Sequence, residues 1–369
     1  MACSKMTHTS KSGAMVQSLL SLLFLVVTAA TCLSTDGLAH KNLLSEWLES
    51  WELDRFKQNE YLYVNGGNFL EFEDRLILDE LPKADYSGGG VYFFGSSNLK
   101  QELKTWELPP AQRALIGNYG IGATNHTFQF QFIRYLVDYR NLLMAGGNKV
   151  HIVLGVSFTN ALVGATAPSY FSGLWERHNL YTYSLLDGIH PARINPVERY
   201  IAMKRALWAG FLGRITRFLT SSLRRPITIT DEIIDETVIR RFSGNFMPPD
   251  WQESVRSQTT ELGRLIDYLQ ARGVGVTIVL VPYRKVLDKF PAAPAYRERV
   301  RAVCRKKSVP LVDLSRLLRK DDFFDLNHPN YRGLTKVNAA LMKIADERLR
   351  NMGLLPQARS KGAEGSQKR

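Results

Sequence analysis

The sequence predicts an α/β protein built on a doubly wound parallel sheet, and three observations carry that prediction. From about residue 90 onward, short β-rich runs alternate with helical patterns. The runs are predominantly apolar, as strands covered on both faces are. With 45% hydrophobic residues over 369 positions, the chain can bury a sizeable core, most simply one large domain with an elaborate insertion.

The elements follow in order. Lys5 and Lys11 precede a largely apolar run from Ala14 to Leu33, and no acidic residue appears before Asp36. Residues 1–36 therefore read as an export signal or a single N-terminal membrane anchor. The run has about the twenty residues a bilayer span needs, while Ala29, Ala30 and Thr31 resemble a small-residue cleavage region. Cys32 follows them, but Ala-Ala-Thr is a poor match to a lipoprotein box. A polar segment holding Trp47 and Trp51 comes next, opening a domain expected to run over 37–354.

Val91 to Phe94 reads as the first strand, with a short helix from Asn98. Ala114 to Gly117 is a weak second strand, leading to a long amphipathic helix from about Thr127 to Met144. The third strand is Val150 to Val156, the fourth Val274 to Val281 and the fifth Val309 to Leu314. Helices are expected at Gln252 to Ala271, Ala295 to Lys306 and Tyr331 to Arg350. Five β-α units in this order describe an open, flavodoxin-like sheet in three α/β/α layers, with its chemistry outside the carboxyl ends of the strands.

A long helical insertion, about residues 158–250, separates the third and fourth strands; a connection of that length normally carries structure or function of its own. Within it Ile201, Trp208, Phe211, Leu212, Ile215, Phe218 and Leu219 fall at helical spacing, decorated by Lys204, Arg205, Arg214 and Arg217. Such a stripe either packs on the core or presents a basic amphipathic face to a membrane. The tail, 355–369, is polar with Gly and Ser and is expected to be disordered.

A formal charge of +13 favours an acidic partner: nucleic acid, an anionic membrane face or an anionic polymer. Nucleic acid fits poorly with an exported chain. Cys3 and Cys32 lie in or before the apolar run, leaving Cys304 alone in the body, so there is no disulfide framework. His126, His151, His178 and His190 are scattered singly, without metal-ligand spacing, and no cofactor motif is present.

Two segments carry chemistry. Val91-Tyr-Phe-Phe-Gly-Ser-Ser-Asn98 is an apolar strand ending in Gly and two serines before a helix begins. A serine there either caps the helix or serves as a nucleophile, its negative charge favoured by the free N–H groups of the first turn. Asp325-Leu-Asn-His328 precedes the last helix. A carboxylate and an imidazole three residues apart in a turn can sit side by side, the carboxylate orienting the ring and stabilising its protonated form. Asp321 and Asp322 are nearby alternatives, but neither stands three residues before a histidine. Asp313, ending the fifth strand, is expected to cap or orient a loop. Asn125-His-Thr127 is a sequon beside the turn after the second strand.

This arrangement resembles the SGNH (GDSL-like) hydrolase superfamily, and within it the membrane-anchored branch of D-alanine transfer proteins that modify teichoic acids. The resemblance covers roughly Val91 to Leu349 by motif order. It implies Ser97 as nucleophile, His328 as base and Asp325 as orienting acid, with Ser96 second choice for nucleophile. It further implies an oxyanion hole formed by the Ser97 N–H, a glycine of Asn118-Tyr-Gly120-Ile-Gly122, either Gly120 or Gly122, and a third-block donor. That third block departs from the family: Gly155-Val-Ser-Phe-Thr-Asn160 stands where Gly-x-Asn-Asp is usual, so Asn160 is the candidate donor at an altered offset. The implied activity is that of a serine esterase or O-acyltransferase on an acylated envelope polymer, glycan or lipid, with a membrane-embedded acyltransferase as partner. The alternative is a catalytically inactive envelope protein that keeps the fold as a binding platform.

Overall fold

The structure, a computed structural model, describes residues 43–58, 72–143, 149–162, 181–184, 188–191, 196–220 and 249–356, with positions 18, 21, 22 and 26 of the N-terminal run. The rest of that run, His178, the remainder of the insertion and the tail from residue 357 lie outside the described residues. Among the described residues no helix is long and apolar enough to cross a membrane.

Helix α1 (Leu43–Lys57) and a helical segment over residues 72–83 precede the sheet. Then come β1 (Gly90–Gly95), α2 (Ser97–Glu102), β2 (Ile116–Gly120), α3 (His126–Arg140), β3 (Val150–Val156) and α4 (Phe158–Leu162). The insertion holds a hairpin, β4 (Tyr181–Ser184) and β5 (Gly188–Pro191), and helix α5 (Pro196–Thr220). The chain closes with α6 (Trp251–Gln270), β6 (Gly275–Leu280), α7 (Ala292–Lys307), β7 (Leu311–Asp313) and α8 (Tyr331–Asn351).

The main sheet runs β2-β1-β3-β6-β7 with every pairing parallel. In order of appearance that is 2-1-3-4-5, the flavodoxin-like order, whose switch point lies between β1 and β3. Period-2 alternation sends β1 into two cores. Val91 and Phe93 face one with Leu99 of α2, Leu103 just after it, and Val337, Leu341 and Leu349 of α8. Tyr92 and Phe94 face the other with α3, α6 and α7. Full burial of such a side chain is worth about 2 kcal/mol, so register is strongly fixed: a one-residue slip would exchange the two faces.

Several boundaries differ from expectation. The second strand is Ile116–Gly120, not Ala114 to Gly117, because Asn118-Tyr-Gly reads as a turn by composition yet pairs in register with Phe93, Phe94 and Gly95. Helix α3 ends at Arg140 rather than Met144, stopped by Asn141 in the left-handed region with φ 55°. The insertion contains the β4–β5 hairpin as well as helix. Its α5 packs Leu207, Phe211 and Ile215 into the core, while the buried Glu52 of α1 takes Arg217 at 3.0 Å and lies 3.7 Å from Arg214. Val197, Ile201, Leu212 and Leu219 remain exposed.

Candidate active site

Strand β1 delivers its last residue, Gly95, to the switch point. A Cβ on Gly95 would lie 2.8 Å from Leu99 Cβ and 3.0 Å from the Gly155 carbonyl, so only glycine lets α2 fold back this tightly against β3. Ser96 is extended, with φ −91° and ψ −161°, and Ser97 opens α2. The Ser97 hydroxyl lies 3.0 Å from His328 Nε2, and His328 Nδ1 lies 2.8 Å from Asp325 Oδ2. Three groups named from sequence thus meet in one chain of hydrogen bonds across a separation of 231 residues.

The turn that carries His328 is held from several sides. Asp325 Oδ1 accepts the N–H groups of Asn327 at 2.8 Å and His328 at 2.7 Å. Arg284, beyond β6, donates its N–H to Leu326 O at 2.9 Å. Asn98 of α2, buried, donates Nδ2 to Asn327 O at 2.7 Å, tying the serine's helix directly to the histidine's turn. Burial opposes ionisation of Asp325, but hydrogen bonds from His328 and Asn327 outweigh it and hold the carboxyl below its ordinary range. An ionised carboxylate only accepts, so the Nδ1 proton belongs to that bond, and Nε2 presents its lone pair to the Ser97 hydroxyl. The side chains of His328 and Asp325 are 19% and 41% exposed, so the site is open to a substrate.

The other candidates are placed elsewhere. The Ser96 hydroxyl donates to Asn98 Oδ1 at 3.5 Å, whereas His328 Nε2 meets Ser97. Gly120 donates its N–H to Asn118 Oδ1 at 3.0 Å, and what its lack of a side chain provides is room for the backbone of Lys100. Gly122 lies near Ser97: a Cβ there would stand 4.0 Å from Ser97 Cβ, and its N–H donates to Glu73 Oε1 at 3.3 Å. Asn160 spends both ends of its amide internally, accepting from Ser157 N and donating to Thr124 O, each at 2.7 Å. The altered third block therefore builds a loop-to-loop tie, and in this arrangement neither Gly120 nor Asn160 offers a donor to a substrate.

Asp313 accepts from Ser315 and Arg301, fastening the start of the returning loop. Asp321 gives its carbonyl to Asn330 Nδ2. Asn125 of the sequon caps α3 by accepting from Phe128 N, and is buried. His126 and His151 are core residues, each pushed down to about 4 by burial and bonded to Tyr296 and Thr277 respectively. His190 meets the Tyr139 hydroxyl at 2.9 Å. Among the described residues no group of three or more His, Cys, Asp or Glu side chains stands close enough to hold a metal ion.

Asp322 anchors the whole turn. Its buried carboxylate accepts from Lys336 at 2.7 Å, Arg332 at 2.6 Å and Arg319 N at 2.9 Å. Burial alone would raise its pKa; the hydrogen bonds win and hold it at about 2, against 3.8 for a free aspartate. A depressed carboxyl stabilises above its unfolded pKa, so this contribution is complete above pH 4 and is lost as pH falls toward 2. It is worth about 2 kcal/mol. Asp322→Asn should lower stability at pH 7 by about that much and flatten the loss between pH 4 and pH 2, as read by urea unfolding across that range.

No protein-family model and no curated protein matches the chain. Solved structures similar to it include a GDSL-like lipase from Bacteroides thetaiotaomicron, 12% identical, covering 75% of this chain and 99% of that one with a TM-score of 0.39. A candidate acylhydrolase from Bacteroides fragilis is 14% identical, covering 74% of this chain and 93% of that one, at 0.38. An alpha/beta hydrolase from the metagenome of Lake Arreo, Spain, is 11% identical over 73% of this chain and 98% of that one, at 0.29. Scores this low add nothing to what the side chains themselves display.

Proposed function

We propose that the chain is a serine-dependent esterase or O-acyltransferase of the SGNH type. The observation that carries this reading is the run of hydrogen bonds from Ser97 Oγ through His328 to Asp325. Nε2 takes the hydroxyl proton as Oγ attacks an ester carbonyl, and the carbonyl electron pair moves onto oxygen. Asp325 stabilises the imidazolium that forms. Collapse of the intermediate expels the alcohol, which takes the proton from His328, and leaves an acyl-serine. Water or an acceptor hydroxyl then repeats the sequence in reverse. In this reading the oxyanion is met by the Ser97 N–H, which lies in the first turn of α2 where N–H groups have no intrahelical carbonyl.

The net charge of +13 favours an anionic acylated polymer, glycan or lipid of the cell envelope as substrate, and the apolar N-terminal run favours an extracytoplasmic, membrane-tethered or secreted location. A membrane-embedded acyltransferase partner and contact with the membrane surface follow from the branch this sequence resembles.

The test is covalent labelling of the folded protein with a fluorophosphonate, followed by peptide mapping. A single phosphonyl adduct on Ser97 is expected. Folded protein that takes no label at Ser97 over hours at millimolar probe would leave only the non-catalytic binding platform.

A further inference from the structure

One point beside Ser97 is bounded by three groups, and the chemistry just proposed uses only one of them. A Cβ on Gly122 would lie 4.0 Å from Ser97 Cβ, 3.9 Å from Lys100 Nζ and 3.3 Å from Glu73 Oε1. The Glu73 carboxylate accepts from the Gly122 N–H at 3.3 Å and pairs closely with Lys100 Nζ. That pair is largely withdrawn from water, with Lys100 6% and Glu73 13% exposed, and the ammonium lies 5.4 Å from the centre of the Phe72 ring.

Lys100 stands three residues after Ser97 on the same helix, a spacing that places both side chains on one face. Its backbone is fixed: the N–H bonds Ser96 O at 3.0 Å, and its N and Cα lie against Gly120. The ammonium is therefore held in a set relation to the nucleophile. Glu73 comes from the segment before the sheet and places a negatively charged oxygen between a backbone N–H and a cation, with the Gly122 Cβ position lying between it and Ser97 Cβ, 3.3 Å from the first and 4.0 Å from the second. Such a seat suits the oxygen of a tetrahedral intermediate, because donors fixed beforehand in a partly dry site need no reorganisation when charge develops. Asn160, which the sequence offered for this task, has both ends of its amide committed elsewhere.

We infer that Lys100 Nζ and the Gly122 N–H, with the Ser97 N–H, form the oxyanion-binding corner of the site, and that Glu73 is an internal carboxylate seated there until an ester displaces it. The inference rests on the serine mechanism proposed above. When Ser97 Oγ bonds to the carbonyl carbon, the carbon–oxygen π pair becomes the lone pair of an oxyanion in that corner, and the hydroxyl proton moves to His328 Nε2. Two negative oxygens cannot share the seat, so Glu73 must yield it. Lys100 is thereby a catalytic residue that touches the reacting oxygen, and Glu73 a gate.

The full chain is assayed with p-nitrophenyl acetate and a fluorophosphonate, with thermal melts on every variant. Lys100→Met should lower kcat about a hundredfold while KM changes by less than about threefold, since the lost interaction exists only in the transition state. Glu73→Gln removes the carboxylate's charge while keeping its shape, and should raise the phosphonylation rate of Ser97 about tenfold, the opposite of what loss of a structural ion pair would do. Lys100→Met strands a buried carboxylate; if it fails to fold, the Glu73→Gln/Lys100→Met double variant replaces it and should react as slowly as predicted for the single change. Folded Lys100 variants with wild-type kcat, or a Glu73→Gln protein that reacts no faster than wild type, would overturn the inference while leaving the serine mechanism standing. A wild-type protein that takes no label at Ser97 would remove both.

Discussion

Replacing His328 by alanine should lower kcat/KM for an activated ester by about five orders of magnitude, equivalent to about 7 kcal/mol of transition-state stabilisation. Without Nε2, 3.0 Å away, the Ser97 hydroxyl has no base at its proton, and an alcohol at neutral pH is a weak nucleophile. Asp325→Asn should cost less, about four orders of magnitude, because an amide can offer its N–H to Nδ1 and so favour the wrong tautomer while leaving the ring in place. The order of the two losses is the informative part. A residue that acts through another cannot cost more than the one it serves, and the double variant should be no worse than His328→Ala alone. Both side chains are partly exposed, so the melting temperature of His328→Ala should stay close to wild type. A folded His328→Ala protein with unchanged phosphonylation of Ser97 would mean that the hydrogen bond is structural ornament and that another group activates the serine.

The parts of this fold that could be read from sequence are those where a local pattern and its tertiary use coincide. Strand β3 is apolar at nearly every position because both faces are buried, and its observed bounds match the run Val150 to Val156. The long helices α6 and α8 declare themselves by apolar spacing, and Asn330 caps α8 by accepting from Gly333 N. Asp325 and His328 stand three apart in one turn, so their pairing is a local matter, and Ser97 follows a strand that ends in glycine.

What could not be read depends on partners remote in sequence. Asn118 looks like a turn residue, yet it lies in β2 because its Nδ2 bonds the carbonyls of Lys100 and Leu103, at 3.1 and 2.8 Å, closing the end of α2. Asn98 gives no signal of its hold on Asn327 O, 229 residues away. Glu73 belongs to a helical segment over residues 72–83 that no pattern announced, so its arrival beside Gly122 and Lys100 is purely a product of packing. The four-residue strands of the hairpin are too short to establish a period.

The two glycines of the second block, equal candidates in the sequence, should part company when each is given a methyl group. At Gly120 the added Cβ would meet Lys100 N at 2.6 Å and Lys100 Cα at 2.7 Å, and backbone cannot rotate out of the way as a side-chain tip can. Helix α2 must then lift from β2, breaking contacts of Leu99 and Leu103 and pulling on the Asn118 hydrogen bonds. Gly120→Ala should therefore cost about 3 kcal/mol of stability. Because Ser97 rides on that helix, kcat should also fall about a hundredfold, the usual consequence of misplacing a reacting group by about 1 Å. At Gly122 the nearest atoms are Glu73 Oε1 at 3.3 Å, Lys100 Nζ at 3.9 Å and Ser97 Cβ at 4.0 Å, all of them side-chain atoms. Gly122→Ala should fold with nearly wild-type stability, yet lose about a hundredfold or more in kcat, because the methyl group would press to 3.3 Å from the seat that Glu73 Oε1 holds and the oxyanion would take. Urea unfolding and ester hydrolysis on the two variants separate these effects. A stable Gly120→Ala protein would show that α2 has room to spare, and a fully active Gly122→Ala protein would place the developing charge elsewhere than between Ser97, Gly122 and Lys100.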